Sequence, residues 1–178
     1  MADISPSEGP KGNYGLETDM LAVNVKKADA GDLEGLLRIE ERCFGSEKFS
    51  PETVRAFLER DDAFIVAAEE GGSLVGSAMC LVSFERREGR IASVAVIEDM
   101  RRRGIGSLLL RECERVFDCM GTEEYSLEVE TVNEPAISMY LSHGYHVIGE
   151  IEDFYGIGRH AYFMVKKTHS KTATIKPS

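Results

Sequence analysis

The stretch Ile91-Ala92-Ser93-Val94-Ala95-Val96-Ile97-Glu98-Asp99-Met100-Arg101-Arg102-Arg103-Gly104-Ile105-Gly106-Ser107-Leu108-Leu109-Leu110 passes from strand to helix through a basic, glycine-containing turn. Gly89 to Val96 reads as a strand. From Arg103 to Met120 the period becomes helical, with Ile105, Leu108, Leu109, Cys113, Val116 and Phe117 on one apolar stripe. A helix N-terminus attracts anions through its unpaired amides and its dipole, and Gly104 and Gly106 carry no side chain to keep a diphosphate off the backbone. Arg101, Arg102 and Arg103 add charge to the same turn. Read alone, this string is equally a solvated charge run whose glycines shape a turn. The G-x-G-x-x-G fingerprint of dinucleotide folds is absent, so the turn is not of that type.

The basic turn stands out because the rest of the chain is acidic: 21 Lys and Arg face 31 Asp and Glu, for a formal charge of −10. Such a balance argues against general binding to nucleic acid or an anionic membrane. With 178 residues, 43% of them hydrophobic, the chain is expected to fold as one domain around its own core. No apolar run approaches the roughly 20 residues of a membrane helix, and the start lacks a secretory signal, so a soluble, cytoplasmic protein is expected.

Outward from the turn the pattern alternates between strands and helices. Ala22 to Lys27 reads as a first strand, followed by a helix that Asp32 can cap and that carries Leu33, Leu36, Leu37 and Ile39. Ser50-Pro51-Glu52-Thr53 restarts a helix, with a hydroxyl cap and proline in the first position. Ala63 to Glu69 and Leu74 to Ser83 form a hairpin across Glu70-Gly71-Gly72-Ser73. Beyond the long helix, Tyr125 to Glu130 is strand-like, Asn133 can cap a short helix through Leu141, and Tyr145 to Ile151 and Ala161 to Lys166 are closing strands. The order predicts an α/β fold built on a single mixed sheet. Residues 1–20 read as a flexible lead-in, 21–167 as the folded domain and 168–178 as a flexible tail.

Cys43, Cys80, Cys113 and Cys119 lack a C-x-x-C pair or a partnered His, so reduced, buried thiols are expected. Cys113 and Cys119 fall on different helix faces. His143 and His146 flank Gly144, which argues for a turn rather than a zinc site, and no metal is expected.

Several segments together resemble the GNAT superfamily of N-acetyltransferases. The strand Ile91 to Val96 with Arg101-Arg102-Arg103-Gly104-Ile105-Gly106-Ser107 looks like that family's acetyl-coenzyme A motif. Leu127 to Tyr140, with Asn133, Ala136 and Tyr140 in an N-x-x-A-x-x-x-Y pattern, and then His143-Gly144-Tyr145, resembles its strand and helix downstream. Asp153-Phe154-Tyr155-Gly156-Ile157-Gly158-Arg159-His160-Ala161-Tyr162-Phe163-Met164 resembles the ending of protein N-terminal acetyltransferases of the RimI and archaeal type. Ile39 to Phe44 and Phe49-Ser50-Pro51-Glu52 resemble that type's first helix and loop, so the likeness runs from Val23 to Lys167. Phe49, Phe154 and His160 depart from the usual Trp, Tyr and acidic residue, and these departures bear on peptide specificity.

The resemblance implies the GNAT fold: a single mixed, mostly antiparallel sheet flanked by helices, with a strand-to-helix pyrophosphate-binding turn. It implies acetyl-coenzyme A as cosubstrate and protein or peptide N-termini as acceptors, including a ribosomal protein's N-terminal alanine, by direct attack in a ternary complex. Residues 101 to 107, that is Arg101, Arg102, Arg103, Gly104, Ile105, Gly106 and Ser107, would hold the pyrophosphate. Val94 and Val96 would offer backbone groups, and Asn133 a side chain, to the pantetheine arm. Glu128 would be the base, Tyr140 the proton donor to the leaving sulfur, and Tyr155 a wall of the peptide slot. From the residues alone, Glu128 and Glu130 share the face opposite Leu127 and Val129 and read as solvent-facing, and Tyr140 reads as packing. A small amine such as a polyamine, a lysine side chain, and a coenzyme A-binding sensor without turnover are the other functions the pattern admits.

Overall fold

A computed structural model describes residues 22–168, so the expected lead-in and nearly all of the expected tail lie outside the described residues. Its elements are β1 (Asn24–Lys27), α1 (Leu33–Phe44), α2 (Pro51–Glu59), β2 (Ala63–Glu70), β3 (Ser73–Ser83), β4 (Glu88–Val96), α3 (Ile105–Cys119), β5 (Glu124–Glu130), α4 (Glu134–Ser142), β6 (His146–Ile151) and β7 (Ala161–Lys167). The seven strands make one sheet in the order β1-β2-β3-β4-β5-β7-β6. Neighbours run antiparallel except β4 and β5, whose parallel pairing requires the α3 crossover. No helix among the described residues is long and apolar enough to cross a membrane.

Local chemistry accounts for most of the boundaries. Gly71 and Gly72, at φ 59° and 78°, close the β2–β3 hairpin between Glu70 and Ser73. Ser50 Oγ accepts from Thr53 N at 3.2 Å and Pro51 opens α2. The start of α1 differs from expectation. Asp32 makes no side-chain cap there; it closes a capping box with Asp29 around a preceding 3₁₀ turn, and its carboxylate also takes Lys26 Nζ at 2.9 Å. The chain enters α1 already coiled, so the cap sits one turn earlier.

Alternation along the strands divides the core. On one face Phe64, Val66, Ala78, Cys80, Tyr125 and Leu127 pack against Leu109, Cys113 and Phe117 of α3, with Tyr140 of α4 beside them. On the other, Ile65, Ala67 and Met79 pack against Leu36 of α1 and Val54 and Phe57 of α2. Leu108, expected on the stripe of α3, is only half-buried. Cys119 is exposed rather than buried filler, because the positions separating it from Cys113 turn it to the outer side of α3. Cys43 is half-buried, whereas Cys80 and Cys113 are core residues.

The β4–β5 junction shapes the functional region. Between the pairs Met79–Ser93 and Cys80–Ile91, Ala92 is an extra residue, a bulge that bends β4. Pairing with β5 ends at Ile91–Leu127, while β4 continues to Val96 and β5 continues to Glu130 along β7. Past that point the sheet is open between the two strands.

Candidate active site

A cavity of about 780 Å³ fills this opening. Val94, Val96 and the turn that follows form one wall; α4 forms another through Asn133, Ala136 and Tyr140. Cys43 and Phe44 reach it from the end of α1, on the other face of the sheet. That the strands part here is what lets both faces contribute.

The turn presents backbone to the cavity. Arg102 and Gly104 are both left-handed, at φ 59° and 78°, so the chain turns sharply just before α3. Gly104 caps α3, and Leu108 N is the first amide to find an intrahelical acceptor, at 3.1 Å on Gly104 O. The amides of Ile105, Gly106 and Ser107 precede it and, with the positive end of the helix dipole, favour an anion. Ile105, Gly106 and Ser107 all line the cavity. A Cβ on Gly104 would meet nothing within 4 Å, so its role is the left-handed angle; one on Gly106 would come within 3.0 Å of Met139 Sδ, so Gly106 lets α3 approach α4.

The three arginines part company. Arg101 and Arg102 line the cavity, and Arg101 Nε donates to Val96 O at 3.0 Å. Arg103 turns away, because Glu70 at the end of β2 takes both its terminal nitrogens, at 2.5 and 3.2 Å. Of the three arginines expected to hold the pyrophosphate, Arg103 is therefore the one off the cavity lining, where it braces the turn against the hairpin.

Ile97 N bonds Val75 O at 3.0 Å, and Val96 lies opposite Gly76. The alternation of an antiparallel ladder then turns the N–H and C=O of Val96 and Val94 away from β3, into the opening that β5 has left. Asn133 caps α4, its Oδ1 accepting from Ala136 N at 3.3 Å, and also lines the cavity. Tyr140 is buried on the cavity wall, edge-on to Tyr145 at 5.9 Å. Burial holds its phenol well above the ordinary value, so the proton stays on oxygen.

Glu128 and Glu130 lie on the sheet face away from Leu127 and Val129, as alternation requires. Glu128 is not on the cavity lining, and at 11% side-chain exposure it is far from a solvated strand residue. Its Oε2 accepts from Arg90 Nη2 at 2.8 Å and Nε at 3.1 Å, leaving Oε1 outside that pair. Tyr155, in the β6–β7 connection, donates its hydroxyl to Glu128 O at 3.0 Å. Burial first, then the carboxylates of Glu128 and Glu130, push that phenol up to about 12. Arg90 carries no motif and escaped the sequence reading; its place in the parallel register beside Ser126 is the only signal, and pairing is needed to see it.

Comparison with known proteins adds a family to this geometry. Residues 33–145 match the sequence profile described as "Acetyltransferase (GNAT) family". A Sulfolobus acidocaldarius protein named N-alpha-acetyltransferase is 30% identical over 151 residues, which span 79% of this chain and 89% of that protein. One of the same name from Sulfurisphaera tokodaii is 28% identical over 151 residues, 79% of this chain and 90% of the relative. The ribosomal-protein-S18-alanine N-acetyltransferase structure from Escherichia coli superposes with a TM-score of 0.76 over 88% of this chain and all of its own, at 20% identity.

Proposed function

Because this chain belongs to the GNAT acetyltransferase family, we propose that it transfers the acetyl group of acetyl-coenzyme A to the α-amine of protein N-termini. The observation that carries the acceptor class is the 30% identity to an N-alpha-acetyltransferase over 79% of this chain and 89% of that protein. A RimI-like preference for an N-terminal alanine is within this reading.

Acetyl-coenzyme A supplies an activated acetyl group and a thiolate leaving group. The cavity fits such a cosubstrate: its turn gathers amides at a helix start, Gly104 leaves open space beside them, and Arg101 and Arg102 add positive charge. The backbone of Val94 and the N–H of Val96, whose C=O already accepts from Arg101 Nε, would hold an amide-rich arm together with the side-chain amide of Asn133, and one β4 amide would face the carbonyl oxygen as charge develops there. Glu128 Oε1, free of the Arg90 pair, would take a proton from the incoming ammonium, directly or through water, so that a neutral amine attacks. Tyr140 would give its proton to the departing sulfur and regain one from the attacking nitrogen, which sheds its second proton as the amide forms. Direct attack needs no covalent intermediate on the protein, which is why the two groups can stand on opposite sides of the open junction.

The test is intact-mass analysis of peptides varied at their first two residues, with spermidine and a lysine side-chain peptide, after incubation with acetyl-coenzyme A. A single acetyl on the peptide α-amine is the expected result. Modification of spermidine or lysine alone would move the protein to those acceptor classes, and binding without transfer to a sensor role.

A further inference from the structure

The β6–β7 connection, residues 152–160, is poorly held by apolar burial. Phe154 is 40% exposed and Ile157 98%, and the backbone bends through left-handed angles at Asp153, Gly156 and Gly158. Most of its backbone hydrogen bonds are internal, such as Tyr155 N to Arg159 O at 3.1 Å and Arg159 N to Gly156 O at 2.8 Å. Its position relative to the sheet therefore depends on a few polar contacts: Thr131 N to His160 O at 3.0 Å, the Tyr155 hydroxyl to Glu128 O at 3.0 Å, and the several made by one residue, Arg159. Arg159 grips Glu130 in bidentate fashion, Nε to Oε1 at 2.7 Å and Nη2 to Oε2 at 3.2 Å. Its Nη1 also donates to Glu47, in the turn Gly45–Glu47 between α1 and α2, far away in sequence. The guanidinium carbon lies 5.8 Å from the centre of the Tyr155 ring.

One guanidinium thus ties together the α1–α2 turn, the end of β5 and the connection that carries Tyr155. A lone exposed ion pair contributes little to stability, but a planar fork shared among three pieces of chain fixes their relative positions. We propose that Arg159 is a positioning residue for the acceptor peptide, clasping the α1–α2 turn to the β6–β7 connection and so holding Tyr155 over the backbone of Glu128. The proposal rests on the N-terminal acetyltransferase reading and deepens it. Arg159 touches no reacting atom in this scheme; it acts through Tyr155 and the two walls it joins.

The clasp can be separated from simple electrostatics because its two ends carry opposite charge. Arg159→Met and Glu47→Gln both open it, yet they change the local charge in opposite directions. With an acceptor peptide bearing neutral side chains, the clasp requires both variants to raise the peptide KM, by about tenfold for Arg159→Met and less for Glu47→Gln, with the acetyl-coenzyme A KM unchanged. The double variant should be no worse than Arg159→Met alone. Hydrogen exchange of the amides of residues 153–159 should quicken in both single variants, a readout that needs no substrate. Peptide KM values moving in opposite directions, or unaltered exchange in the connection, would overturn the clasp. A wild-type protein that acetylates no peptide, while modifying spermidine or lysine, would overturn the acceptor reading and the peptide role of Arg159 with it.

Discussion

Arg90, opposite Ser126 in the parallel β4–β5 register, reaches one step along β5 and takes Glu128 Oε2 at 2.8 Å, on the face of the sheet away from the α3 core. The pair fixes the carboxylate beside the place where the two strands part. Glu128→Gln keeps the shape of the side chain and removes its ability to accept a proton. It should lower kcat by about 10²-fold or more, within the range of general base catalysis, and leave acetyl-coenzyme A affinity unchanged because Glu128 does not line the cavity. Steady-state kinetics with calorimetric binding checks both, and an unaltered kcat would remove Glu128 from the reaction.

Tyr140→Phe isolates the phenol in the same way. The ring packs edge-on to Tyr145, and Phe preserves that contact, so thermal stability should stay close to wild type while kcat drops by roughly 10²-fold. The burial that holds the phenol protonated also means the wild-type activity should show no loss from Tyr140 ionisation anywhere near neutral pH. A variant as active as wild type would leave the tyrosine as packing only.

The arginines of the turn should separate in a binding experiment. Arg102 faces the cavity and Arg103 is held by Glu70, so Arg102→Ala should raise the acetyl-coenzyme A Kd by about tenfold and Arg103→Ala much less. Equal losses from the two would mean that the Arg103–Glu70 contact gives way when the cosubstrate arrives.

Two glycines should fail for different reasons. A Cβ at Gly89 would sit 2.5 Å from the Phe117 ring, which is wedged between Phe64 at 5.2 Å and Tyr125 at 5.4 Å and has no room to yield. Gly89→Ala should cost about 1–3 kcal/mol through overpacking. Gly104→Ala meets no atom but must hold a left-handed angle, at a cost of about 1–2 kcal/mol. Urea unfolding reads both, and wild-type stability in Gly89→Ala would show that the Phe117 packing is looser than the geometry here.

Glu40 supplies a pH signature. It is buried in α1, its Oε2 accepts from Phe49 N at 2.9 Å, and its Oε1 has no partner. Burial pushes its carboxyl above the ordinary value of 4.5, against the lowering effect of the Phe49 amide. The folded state therefore binds the proton more tightly than the unfolded one, and Glu40's contribution to stability falls as pH rises through 4.5 toward the folded-state value. Glu40→Gln should flatten that part of the profile. Parallel curves for wild type and variant between about pH 4 and 8 would sink the assignment.

Much of this architecture is legible without coordinates because it is written in short-range chemistry. The hairpin at Gly71-Gly72, the caps at Ser50 and Asn133, and the helix beginning after Gly104 each depend on a few neighbouring residues, and all appear where their sequence signals stand. The failures are local too. Asp32 was expected to cap α1, but an equally good cap at Asp29 lies one turn upstream, and sequence cannot rank two acids that close. Cys119 shows that an apolar residue near a helix end need not be buried.

The amino-acid sequence by itself determined the strands, the helices, the basic glycine-containing turn and the likeness to a family, since each rests on periodicity, glycine angles or spacing within one segment. Only the tertiary structure decided that β4 and β5 part after Ile91 and Leu127, that Arg103 leaves the turn for Glu70, that Arg90 holds Glu128, and that Arg159 joins Glu47 to Glu130. A charged side chain on an exposed face carries no periodic mark of its partner. Its partner is whichever opposite charge the strand register and the connections bring within reach, and that is a property of the assembled sheet.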